Sequence, residues 1–239
     1  MNLKTLFGWL AVVCFVSASV CLYAYETPTA GQIQEVQDQI DAANKAQADA
    51  QKNIDEAAKL QKEGKIDEAV AAAQAYRKAV AAEQAARQKA IALADKYYKP
   101  DGKNAKGEPQ FDRSTVGEGE TSSDGTVTIG RDAFSSPGWL ASTKLHEFNH
   151  ADRVGAGTWP DSRKGANMAE CEAYDAEIAN AATSGLTPAQ IADLKARRAK
   201  YYDKLSAANK KKVDGGGYVA SVAPLHEAVG AGHAKVAYT

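Results

Sequence analysis

Cysteine is scarce in this chain: there are three in 239 residues, and two of them, Cys14 and Cys21, fall inside an apolar N-terminal run. Without that run Cys171 stands alone, so no intramolecular disulfide framework is possible. An excess of charge of one sign is also missing. With 29 Lys and Arg against 30 Asp and Glu, the net charge is -1, which excludes a global electrostatic attraction to nucleic acid. Aromatic residues make up only 8% while alanine abounds, so a large core must be thin or built from closely packed helices. No glycine-rich phosphate loop and no Ser-His-Asp arrangement stands out. Histidine is rare too, with 4 in the chain, which gives weight to any pair of them at a meaningful spacing.

What is present begins with the N-terminal run. From Thr5 to Tyr25, 21 residues carry no charge, behind a short basic segment ending at Lys4. Two readings stand side by side. The run is a secretory signal cleaved after Ala24, or a signal anchor, since roughly 20 apolar residues span a bilayer. Under both, the remainder is expected to be secreted, periplasmic or held in the cell envelope. Any membrane contact is then confined to residues 1–25.

From about Thr29 to Tyr98 the sequence is rich in Ala, Gln, Lys and Glu, with glycine only at 31 and 64 and no proline. Ile33, Val36, Ile40, Ala43, Gln47, Ala50, Ile54 and Ala57 recur at spacings of three and four, a heptad seam opened by Pro28-Thr29. Glu63-Gly64-Lys65 interrupts it, and Ile66, Val70, Ala73, Val80, Ile91, Ala94 and Tyr98 resume a looser helical period. Residues 26–99 are therefore expected to fold as an antiparallel helical hairpin whose small seams pack closely. It is a candidate surface for an envelope partner.

Residues 100–124 are polar and punctuated by glycine and proline, and are expected to be a linker. The rest, 125–239, reads as a second domain. A short edge strand is predicted at Thr126–Ile129 after the Asp124-Gly125 turn. Ser136-Pro137 then starts a helix, Asn167 opens another, and a third runs from about Pro188 to Leu205. The fold class expected is mainly α with a small β element (α+β).

On the Pro137 helix lies His146-Glu147-Phe148-Asn149-His150, an HExxH pattern. At about 100° per residue, His146 and His150 point the same way, with Trp139 and Thr143 on their stripe and Ala141, Leu145 and Phe148 on a core-facing one. Two imidazoles one turn apart suit Zn²⁺. Glu147 flanks them, placed to take a proton from an activated water. A third ligand is needed, and Glu170 and Glu172 on the following helix are the candidates. They differ by about 200° around that helix, so only one can face the metal. Glu170 has a rival role, since Asn167 to Glu170 also reads as a capping box. Asp152 and Asp175 are candidate orienters of the imidazoles. Tyr174, one turn from Glu170, is a candidate oxyanion donor, as are Tyr218, His226 and His233 in the tail.

These residues resemble the gluzincin group of zinc metallopeptidases, and Val127 to Arg153 looks like the strand-turn-helix entry of small exported bacterial metallopeptidase domains. In that group a second helix supplies a Glu ligand, often as ExxA, and Glu170-Cys171-Glu172-Ala173 fits with Glu170 as the ligand. The resemblance covers about 50 residues and not the hairpin. It implies a zincin-like domain that hydrolyses peptide bonds in a peptide or protein substrate. His146, His150 and Glu170 would hold Zn²⁺, with Glu147 as general base. The alternative is a non-catalytic envelope protein that works through its hairpin and keeps only a vestigial or structural metal site.

Overall fold

The computed structural model describes residues 27–99, 105–159 and 163–215. The N-terminal run and the tail residues Tyr218, His226 and His233 lie outside them. Among the described residues the protein is mainly α with a small sheet, as expected, and none of its helices is long and apolar enough to cross a membrane.

Helices α1 (Ala30–Lys62) and α2 (Ile66–Tyr98) form the hairpin. Thr29 caps α1 in a reciprocal capping box with Gln32, and Gly64 turns the chain with a positive φ of 75°. The seam of α1 buries Val36, Ile40, Ala43, Ala46, Ala50, Ala57 and Leu60, whereas Ile33 and Ile54 stay largely exposed. In α2 only the second half is buried, from Glu83 to Tyr98; Ile66 and Val70 are exposed at the far end. The looser period read there belongs to a helix that is half in solvent.

The predicted linker is not a spacer. It contains β1 (Gln110–Phe111) and β2 (Gly119–Thr121), which flank β3 (Val127–Ile129) in the order β1-β3-β2. β1 runs parallel to β3, with Phe111 opposite Ile129, and β2 runs antiparallel, with Glu120 opposite Thr128. The strand expected at an edge is thus the central one, and the edge facing the HExxH helix is β2. Both flanking strands are too short to show an alternating pattern; β2 pairs with β3 as a short hairpin, whereas β1 pairs with it across 18 residues.

After a 3-10 turn (Arg131–Ser135), α3 (Pro137–Gly155) begins at Ser136, whose hydroxyl accepts from Trp139 N at 3.1 Å. α3 is covered on all sides, so nearly every residue from Pro137 to Phe148 is buried. Its start crosses the end of α4 (Arg163–Ser184) so closely that a Cβ on Gly138 would lie 2.3 Å from the Ser184 carbonyl oxygen. α5 (Pro188–Tyr202) follows a Thr187–Gln190 capping box, and α6 (Ala207–Asp214) is capped by Ser206. α6 holds the Lys210-Lys211-Lys212 run. α4 starts at Arg163, so Asn167 and Glu170 lie inside the helix and form no N-terminal box.

One core runs through both expected domains. Val36, Ile40, Ile91, Ala94 and Tyr98 of the hairpin pack with Phe111, Val127, Ile129, Phe134, Leu140 and Phe148 of the remainder. Lys144 of α3, fully buried, reaches across to Asp95 and to the Ile91 carbonyl oxygen on α2. Cys171 is buried beside Leu205 and Val213, and burial pushes its thiol up to about 11, which makes it inert.

Candidate metal centre

α3 presents His146 and His150 one turn apart with their Nε2 atoms 3.0 Å from each other. α4 crosses in front and brings Glu170 to both. Glu170 Oε2 lies 3.4 Å from His146 Nε2, and Oε1 lies 3.3 Å from His150 Nε2. Each residue offers one donor atom within 4.8 Å of the others, so the three can hold one metal ion between them. Glu172 points elsewhere: it is buried against Arg153. Of the two acids left open by the sequence, Glu170 is the one that meets the imidazoles.

His146 is oriented from behind. Its Nδ1 is 2.8 Å from Glu177 Oε1, and Ser142 Oγ donates to Glu177 Oε2 at 2.6 Å. A carboxylate can only accept, so Nδ1 carries the proton and Nε2 is turned toward the shared centre. Glu177, rather than Asp152 or Asp175, does this work. Asp175 is held by a bidentate pair with Arg198. Glu177 lies seven residues after Glu170, two turns along the same face of α4, and that spacing was its only signal in the sequence.

The local field favours positive charge. Burial acts against a charged His146 imidazole, yet the carboxylates of Glu170 and Glu177 outweigh it and hold its pKa well above the ordinary 6.5. Burial likewise raises Glu170, but His146 and His150 pull its carboxyl far below the usual range. A point that draws a proton between two imidazoles and a carboxylate also draws a cation.

These residues line a cleft of about 380 Å³. On one wall, Glu147 is buried against β2. Thr121 Oγ1 is 2.7 Å from Glu147 Oε2 and 2.9 Å from its carbonyl oxygen, so one hydroxyl proton is shared between them. Gly119 lies flat against the same side chain: a Cβ there would approach Glu147 Cγ to 2.8 Å and Oε1 to 2.9 Å. On the opposite wall, Tyr174 packs edge-on against His146 and stacks on Tyr201. Burial, with Glu170 and Glu177 nearby, pushes the Tyr174 hydroxyl up, so it keeps its proton and remains a donor. Trp159 stands edge-on over His150 with ring centroids 5.2 Å apart. Arg197 closes one end by pairing with Glu118 at 2.8 Å, and Trp139 Nε1 donates to Glu118 as well. Sequence reasoning missed Gly119, Thr121, Glu118 and Arg197, because they reach the cleft only through the sheet and α5.

No protein-family model, curated protein or solved structure matches this chain.

Proposed function

We propose that this chain is an exported zinc-dependent peptide-bond hydrolase of gluzincin type. The observation that carries the reading is the spacing of the three donors. Ligands about 2.0–2.1 Å from a tetrahedral zinc ion lie roughly 3.3 Å from one another; here the two imidazole nitrogens are 3.0 Å apart, and Glu170 brings one carboxylate oxygen to 3.4 Å from the first and its other oxygen to 3.3 Å from the second. Two imidazoles and one carboxylate are also a donor set that zinc accepts while keeping a position open. When bound, such an ion supplies Lewis acidity toward water and a carbonyl oxygen.

The chain's own residues supply the rest. Glu147 Oε2 is engaged by Thr121, which leaves Oε1 to take the proton of the attacking water and deliver it to the leaving amine. Tyr174, protonated and lining the cleft, donates to the carbonyl oxygen as negative charge develops there. The outer edge of β2 borders the cleft and suits an extended peptide held by main-chain hydrogen bonds. Export is supported by the uncharged run from Thr5 to Tyr25.

Glu147→Gln is expected to retain stoichiometric zinc and to lose about 10²–10⁴-fold in peptide cleavage, read by metal analysis and digestion of a peptide library. Full activity in that variant overturns the mechanism. The exposed Ile66 and Val70 at the far end of the hairpin favour a second reading, an interaction protein with a structural metal. Stoichiometric zinc in the wild type without any cleavage would select it.

A further inference from the structure

A second cleft, of about 450 Å³, lies between the hairpin and the rest of the molecule, away from the metal ligands. Asn44, Gln47 and Tyr76 line it from the hairpin side, and Arg113 and Arg131 from the other. Behind the two arginines is Glu83, fully buried on α2. Its carboxylate faces Arg131 Nε and Nη2, each at 2.8 Å, Arg87 Nε at 3.2 Å and Arg113 Nε at 3.3 Å. Three guanidiniums against one carboxylate leave an excess of two positive charges (3 − 1). Among the described residues no acidic side chain lines the cleft to offset it.

The hydrogen-bond count points the same way. A carboxylate offers about four lone-pair sites; Glu83 accepts three N–H hydrogen bonds from Arg131 and Arg87 and pairs with Arg113 besides, so the other guanidinium hydrogens of Arg113 and Arg131 are open to another acceptor. Arg87 itself does not face the cleft: its guanidinium lies over the Phe134 and Phe111 rings, and its Nη1 has no hydrogen-bond partner among the described residues. Arg87 Nη2 donates to Gln47 Oε1 at 2.7 Å and to Asn44 Oδ1 at 3.3 Å. Since Arg87 takes the oxygen ends of both amides, Gln47 and Asn44 are left to offer N–H donors. Arg113 and Arg131 keep 30% and 32% of their side chains exposed at the opening. The cleft is therefore rich in donors and positively charged, and its volume exceeds what one phosphate fills.

We propose that this cleft binds a small polyanion, a phosphorylated or polycarboxylate molecule whose oxyanion is gripped by Arg113 and Arg131. Planar guanidinium forks suit both head groups because each offers paired oxygens at the matching spacing. The body of the ligand lies along Tyr76 and the exposed Ile54. Bound there, it bridges α1 and α2 to the loop after β1 and to the 3-10 turn.

The test uses the full chain, with inorganic phosphate and succinate as probes at constant ionic strength set by sodium chloride. Thermal unfolding and titration calorimetry read the binding. The wild type is expected to gain melting temperature saturably with at least one probe. Arg113→Gln is expected to weaken that binding at least tenfold with its metal content unchanged, which separates this cleft from anion binding at the metal. Arg113→Lys keeps the charge facing Glu83 and lacks the fork, so it serves if the first variant does not fold; several-fold weakening is expected. A response to phosphate alone or to succinate alone supports the proposal and identifies the head group. Neither probe exceeding chloride, or a variant that binds as the wild type does, overturns it.

Discussion

Glu170 and Glu172 stand two residues apart on α4 and are chemically alike, yet the helix turns one to the imidazoles and the other to Arg153. Their replacements separate accordingly. Glu170→Gln is expected to lose bound zinc, because a neutral amide replaces the one anionic ligand. Glu172→Gln is expected to keep zinc and to lose stability by up to about 3–5 kcal/mol, the range for breaking a buried ion pair. Metal analysis and thermal melts of the two variants check this, and zinc retained by Glu170→Gln would sink the ligand assignment. Glu177 acts one step further out: Glu177→Ala removes the acceptor at His146 Nδ1 and is expected to weaken zinc roughly 10–100-fold, measured by competition with a chromogenic chelator. That His146 and His150 share a face was legible in the sequence because helical spacing fixes it, whereas spacing left Glu170 and Glu172 open and only the resemblance pointed to Glu170. Glu177 was hidden among other acids. Nothing in one sequence says which carboxylate meets the back of an imidazole across a helix crossing.

The long elements were readable for the same reason. Thr29, Gly64 and Ser136-Pro137 mark helix ends through local chemistry, and the structure uses all three. Of the sheet only β3 was readable, from Val127 and Ile129 alternating with threonines. The other two strands have two and three residues and lie in the polar, glycine-rich stretch taken for a linker, where Gln110-Phe111 and Gly119-Glu120-Thr121 show no such alternation. That sheet edge is nevertheless what seats Glu147. β2 approaches α3 closely enough that only hydrogen fits at Gly119 on the Glu147 side, while Thr121 fixes the carboxylate from the next inward position. Gly119→Ala is therefore expected to displace Glu147 without touching a metal ligand. The predicted signature is a fall of about tenfold or more in kcat, as expected for a misplaced catalytic group, with zinc content unchanged. An activity equal to the wild type would show that β2 does not position the base.

At the scale of the whole molecule, the hairpin packs against the elements that carry the candidate metal site. The shared apolar core joins them on one side, and Glu83 with its arginines joins them on the other. That second junction has a pH signature. Burial raises the Glu83 carboxyl, but the hydrogen bonds and charges of Arg131, Arg113 and Arg87 hold it below the ordinary 4.5. The groups facing it are Arg87 from its own helix and Arg113 and Arg131 from beyond β1, with the neutral amides of Asn44 and Gln47 on α1 bonded to Arg87. A carboxyl lowered in the native state binds protons more weakly folded than unfolded. Its contribution to stability is thus complete above 4.5 and drains away as pH falls toward the lowered native value. Glu83→Gln removes that contribution at every pH and leaves three guanidiniums facing an amide. The gap in melting temperature between wild type and variant is expected to be constant from about pH 7 to 5 and to narrow below the unfolded carboxyl's titration. A gap that stays the same down to about pH 3 would mean that Glu83 gains nothing from its charge, and that the shared apolar core and the Lys144 contacts hold the hairpin to the rest of the molecule without it.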